Sequence, residues 1–145
     1  MFTIEIEIAR PPEALFGYLA QVENTPNWYS AVERADKLTS APVSTGARFR
    51  MSRRLPTGPA VDDVEVTEFV PNRVFTLASL SGPTPFTYRY RLSPKGKNTL
   101  LRLEGEISGE GLGGGFALLA PIAPLIFERG MRANLAALKE ILELS

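Results

Sequence analysis

The feature that most constrains this chain is the way two unlike ends frame its middle. The opening residues Phe2, Ile4, Ile6 and Ile8 alternate with Thr3, Glu5 and Glu7, which is the pattern of a strand with one buried face. The closing stretch, read as one helix from about Phe116 to Leu144, repeats apolar residues at helical spacing: Phe127, Met131, Leu135, Leu138 and Leu142. Strand-like runs fill the space between. A sheet that must cover one long helix curves around it, and that arrangement tends to leave room between the two.

Pro11 and Pro12 stop the first strand, and Pro12 suits the first turn of a helix whose apolar stripe is Ala14, Leu15, Tyr18 and Leu19. Thr25-Pro26 predicts a second short helix ending near Trp28. Six further strands follow: Ala31 to Leu38, a run around Phe49 and Met51, one around Val64 and Val66, Val74 to Leu80, Phe86 to Leu92, and Leu101 to Ile107. Proline, glycine and asparagine turns separate them, and turns this short join antiparallel neighbours. The expected class is therefore α+β in a single domain: a seven-stranded antiparallel sheet, two short helices after the first strand and a long terminal helix.

Composition narrows the chemistry. The chain has no cysteine and no histidine, so thiol chemistry is excluded and the commonest general base and metal ligand are missing. Sixteen basic and sixteen acidic residues cancel, which favours neither nucleic acid nor an acidic membrane as a partner. The uncharged run Gly111 to Phe127 is too short and too rich in proline and glycine for stable membrane insertion. No signal peptide is read at the N-terminus, so the expected location is the cytoplasm. Neither a cofactor nor a metal is expected, and the oligomeric state stays open, a homodimer included.

Several segments together resemble a known family. Ile8-Ala-Arg-Pro-Pro-Glu-Ala-Leu-Phe, Asn24-Thr-Pro-Asn-Trp28, Val66-Thr-Glu-Phe-Val-Pro71 and Leu135-Ala-Ala-Leu-Lys-Glu, in that order, are similar to the polyketide cyclase/dehydrase and START-related lipid-binding superfamily (SRPBCC). The resemblance covers essentially the whole chain. It implies a helix-grip fold, in which the sheet wraps the C-terminal helix around a hydrophobic cavity. It does not choose between binding of a lipid-, aromatic- or polyketide-like molecule, cyclase or dehydratase chemistry, and a protein-interaction role.

The inward register supplies the expected ligand contacts: Phe49, Met51 and Arg53 on one strand, Phe75 on another, Phe86, Tyr88 and Tyr90 on a third. Phe116, Leu119, Phe127 and Met131 are expected to face them from the closing segment. Only the tyrosines could move a proton, and a free phenol with a pKa of about 10 is an acid rather than a base at neutral pH. No catalytic residue is assigned. Glu65 would become a base only if its strand turned odd positions inward, against the register of Val64 and Val66. An inward Arg53 would need a carboxylate, and a ligand could supply it. Trp28 is expected to plug the core. Leu135, Leu138 and Leu142 are read as plain packing, and Gly109 to Gly115 as a flap. Arg89, Arg91 and Arg102 should meet Glu5, Glu7, Glu104 and Glu106 as ion pairs on a wet face, and Arg48 and Arg50 should lie on a solvated outer face.

Overall fold

A computed structural model describes residues 1–55, 58–108, 118 and 121–145. Its strands are β1 (Phe2–Ile8), β2 (Val32–Lys37), β3 (Arg48–Leu55), β4 (Gly58–Val70), β5 (Val74–Ser79), β6 (Phe86–Lys95) and β7 (Asn98–Ile107). They form one antiparallel sheet in the order β1-β7-β6-β5-β4-β3-β2. Helix α1 (Pro12–Ala20) and a 3₁₀ helix (Val22–Asn27) connect β1 to β2 at opposite edges of the sheet, and α2 (Ala123–Glu143) closes the chain.

The two early helices stand where their prolines place them, although the second is a 3₁₀ segment that starts three residues before the Thr25-Pro26 signal. The closing helix starts later than its apolar stripe suggested. Pro124 occupies its first turn, where a missing N–H costs nothing, so the proline delays the helix and marks its beginning.

Alternation assigns the faces. On β3, Phe49, Met51, Arg53 and Leu55 are buried while Arg48, Arg50 and Arg54 are exposed. On β4, Asp62, Val64 and Val66 point inward. A bulge between Val66 and Glu68 then shifts the register, and Phe69 takes the inner side against Phe16 and Phe75. Glu65 thus lies on the outer face, where it pairs with Arg48 at 3.1 Å. That outer face carries part of the expected pairing, with Arg89, Arg91 and Arg102 around Glu104; Arg89 also reaches Glu68, Glu7 pairs with Lys95, and the exposed Arg50 pairs with Asp63. Such exposed pairs contribute little to stability.

Helix α2 lies across β1 and β7 and buries Met131, Leu135, Leu138 and Leu142. Burial of each such side chain contributes about 1.5–3 kcal/mol. Its C-terminal half is also fastened by polar contacts: Lys139 donates to the Glu7 carbonyl at 2.9 Å, the Ala9 N–H donates to Glu143 at 2.8 Å, and Arg10 donates to the Ser145 carbonyl at 3.0 Å. Farther toward its start, Asn134 accepts from the Ser30 N–H at 3.1 Å.

Candidate functional site

The concave side of the sheet encloses a small space between β3, β5, β6 and the 3₁₀ helix. Met51, Arg53, Phe75, Phe86, Tyr88 and Tyr90 line it, as expected from their register. Trp28 and Tyr29 also line it, because the 3₁₀ helix turns the chain so that the N–H groups of both residues donate to the Thr25 carbonyl. Trp28 is therefore both core plug and wall, packed edge-on to Tyr90 at 6.4 Å. The volume is about 20 Å³, room for about one water and far below the ~300 Å³ where ligand pockets begin.

A wider cleft of about 180 Å³ adjoins it, bounded by Ser30, Ala31 and Leu55 on one side and by Phe127, Met131 and Asn134 of α2 on the other. Tyr29 and Arg53 line both spaces and so form the wall between them. Of the residues expected to contact a ligand, Phe127 and Met131 belong to this cleft rather than to the inner space. Phe49 is fully buried in the core and lines neither. Phe116, Leu119 and the Gly109–Gly115 flap lie outside the described residues.

Arg53 corrects one expectation. Its carboxylate partner is internal: Nε and Nη2 both donate to Asp62, the second at 3.0 Å, and Nη2 also donates to Thr84 at 2.6 Å. Arg53 faces Ala60 across the β3–β4 ladder and Asp62 faces Met51, so the ion pair is a diagonal one on the inner face. Both partners are buried, and the guanidinium also lies 5.3 Å from the centre of the Phe86 ring. Sequence reasoning missed Asp62, although it shares the even register of Val64 and Val66. Thr84 lies in a turn, where no periodicity could have marked it.

Three phenols share this interior. Burial pushes the ionisation of Tyr29, Tyr88 and Tyr90 above the ordinary 10.0, and the neighbouring tyrosines raise Tyr88 and Tyr90 further. At neutral pH all three keep their protons, so they can donate hydrogen bonds but cannot serve as bases. The Tyr29 hydroxyl is close enough to Tyr88 to shift its ionisation, but the buried Tyr88 hydroxyl makes no well-aligned hydrogen bond among the described residues. Above pH 10 the unfolded chain loses phenolic protons that the fold retains, so stability is full below about pH 10 and falls as the pH rises past it. Urea midpoints measured from about pH 8 to 11 should be level at first and then drop, and Tyr90→Phe should lessen the drop. A midpoint that stays level to pH 11 would contradict this burial effect.

Among the described residues no group of acidic side chains is arranged to hold a metal ion. No described helix is long and apolar enough to cross a membrane.

Comparison with known proteins agrees with this geometry. A START superfamily protein from Mycobacterium smegmatis superposes with a TM-score of 0.81 at 16% identity, over 99% of this chain and 97% of that one. The Zhui aromatase/cyclase from a Streptomyces species gives 0.79 at 15% identity, over 98% and 92%. The di-domain ARO/CYC StfQ of the steffimycin biosynthetic pathway gives 0.74 at 13% identity, and this chain spans only 45% of its length. At these identities the likeness is one of fold. No curated protein matches in sequence. The profile described as polyketide cyclase/dehydrase and lipid transport matches residues 1–143. With the helix-grip architecture and nearly the full length matched, the chain belongs to the polyketide cyclase/dehydrase and lipid transport family.

Proposed function

We propose that the protein binds a small hydrophobic molecule, lipid-, aromatic- or polyketide-like, between the sheet and α2, with an oxygen of that molecule meeting the Tyr88 hydroxyl. The observation that carries this reading is a buried hydroxyl that makes no well-aligned hydrogen bond among the described residues, in an aromatic-lined space. A hydroxyl left dry forfeits about 1–3 kcal/mol, so a ligand or a water has something to gain there. The inner space admits a ligand only by growing. Displacing Tyr29 would join it to the cleft beside α2, whose far wall carries Phe127 and Met131 beside Asn134. Cyclase or dehydratase chemistry on this scaffold would have tyrosine as a proton donor. Glu65 could not act as its base, since it lies outside, paired with Arg48.

Calorimetric titration with 2-naphthol, a bicyclic phenol, should show saturable binding. Tyr88→Phe should weaken it about five- to tenfold, the worth of one hydrogen bond, and leave naphthalene binding unchanged. The same substitution should change stability by less than about 1 kcal/mol, because the hydroxyl makes no well-aligned hydrogen bond among the described residues. Absence of saturable binding, together with no apolar compound co-purifying in native mass spectrometry, would remove this reading.

A second reading rests on a separate observation. Ile122, Leu125 and Ile126 leave the start of α2 apolar and exposed, at 46%, 68% and 50%. This end of the helix would then join two copies of the chain. Sedimentation equilibrium would favour that reading if the protein is dimeric and Leu125→Asp makes it monomeric.

A further inference from the structure

We infer that the interior selects uncharged ligands bearing a carbonyl or hydroxyl oxygen and rejects carboxylates, because Arg53 reaches it with its charge already matched by Asp62. The inference rests on the ligand-binding reading above and specifies which molecules satisfy it. An arginine in the wall of an apolar cavity ordinarily points to an acidic ligand, since guanidinium and carboxylate pair strongly when water is excluded. Here that attraction is spent inside the protein. Arg53 is the sole charged residue among the described residues that line the inner space. Nε and Nη2 hold the Asp62 carboxylate, and Nη2 also holds Thr84.

Asp62 is not free to move aside for a ligand. It is fully buried, and the backbone of Gly82 lies against it so closely that even a Cβ there would collide with its Oδ1. The turn carrying Gly82 is itself tied to β4. The Asp63 N–H donates to the Ser81 hydroxyl at 3.2 Å, and the Leu80 N–H donates to the Asp63 carbonyl at 2.7 Å. A ligand carboxylate reaching Arg53 would have to leave water, find the better face of the guanidinium occupied, and lie close to a second negative charge in a low-dielectric interior.

A neutral oxygen meets none of these obstacles. The Tyr88 hydroxyl, which makes no well-aligned hydrogen bond among the described residues, can donate to it or accept from it. The interior therefore offers hydrogen bonds without offering net charge.

Three probes on one skeleton test this by calorimetry at pH 7: 2-naphthol, methyl 2-naphthoate and 2-naphthoate. The naphthol and the ester should each bind about tenfold or more tightly than the carboxylate. Asp62→Asn, which keeps the size and removes the charge, should strengthen 2-naphthoate about tenfold or more and bring it level with or above the naphthol. A carboxylate that binds the wild-type protein as tightly as the neutral probes would overturn the inference and leave the ligand-binding reading standing. So would an ester excluded as fully as the acid, because size rather than charge would then decide. These two comparisons need no variant, so they hold even where Asp62→Asn does not fold. If none of the three probes binds, the ligand-binding reading falls and this inference falls with it.

Discussion

Arg53→Met should lower the stability of the fold by about 3–5 kcal/mol, the range observed when one partner of a buried ion pair is removed. Methionine fills much of the space of the arginine stem, so the loss is electrostatic: the Asp62 carboxyl, fully buried, would be left with no cation beside it. Thr84, also fully buried, would lose its donor. The double variant Arg53→Met/Asp62→Leu should recover most of the loss, since apolar replacements of a whole buried pair are often neutral or stabilising. Urea midpoints at an unchanged denaturant slope would measure both. If the double variant is as unstable as the sum of its single changes, the pair is not the source of the effect.

Gly82→Ala should cost about 2–5 kcal/mol, and it should do so at the same node of the structure. Gly82 has φ of 116°, a conformation that L residues rarely adopt, which alone accounts for about 1–3 kcal/mol. The added methyl would also run into the Asp62 carboxylate, which cannot yield without releasing Arg53. Gly46 provides the control. Its φ is 95°, but a Cβ there meets nothing within 4 Å. Gly46→Ala should therefore show the backbone penalty alone, and the excess at Gly82 should be about 1–2 kcal/mol. For a chain of this length the Gly82 variant should lower Tm by about 5–15 °C. Equal effects at the two glycines would mean that the collision with Asp62 is relieved at no expense.

Periodicity made most of the architecture legible in the sequence. The alternations of β1, β3, β6 and β7 read directly, because one face of each is apolar and the other charged. The short helices were visible through their prolines. The closing helix was read too long at its start because an apolar stripe says which face is buried and not where the hydrogen bonding begins. The site was legible wherever a side chain followed its strand, as for Met51, Phe86, Tyr88 and Tyr90. It was hidden where a residue's role depends on a partner far along the chain. The alternation of β3 turns Arg53 inward, in need of an anion, but its union with Asp62 depends on the β3–β4 register and with Thr84 on the path of a turn. Tyr29 escaped notice because it follows a 3₁₀ helix, where neither the two-residue nor the helical period applies.

Because β1 pairs with β7, from Phe2 against Gly105 to Ile8 against Thr99, the sheet cannot be completed until nearly the whole chain has been synthesised. At about 5–20 residues per second, the first strand waits roughly 5–20 s for its neighbour on the ribosome. Throughout that interval it carries Phe2, Ile4 and Ile8 uncovered, together with an unpaired edge that a strand from another nascent chain could join. Glu5 and Glu7 then act as gatekeepers, because two copies of β1 laid side by side would bring their carboxylates together.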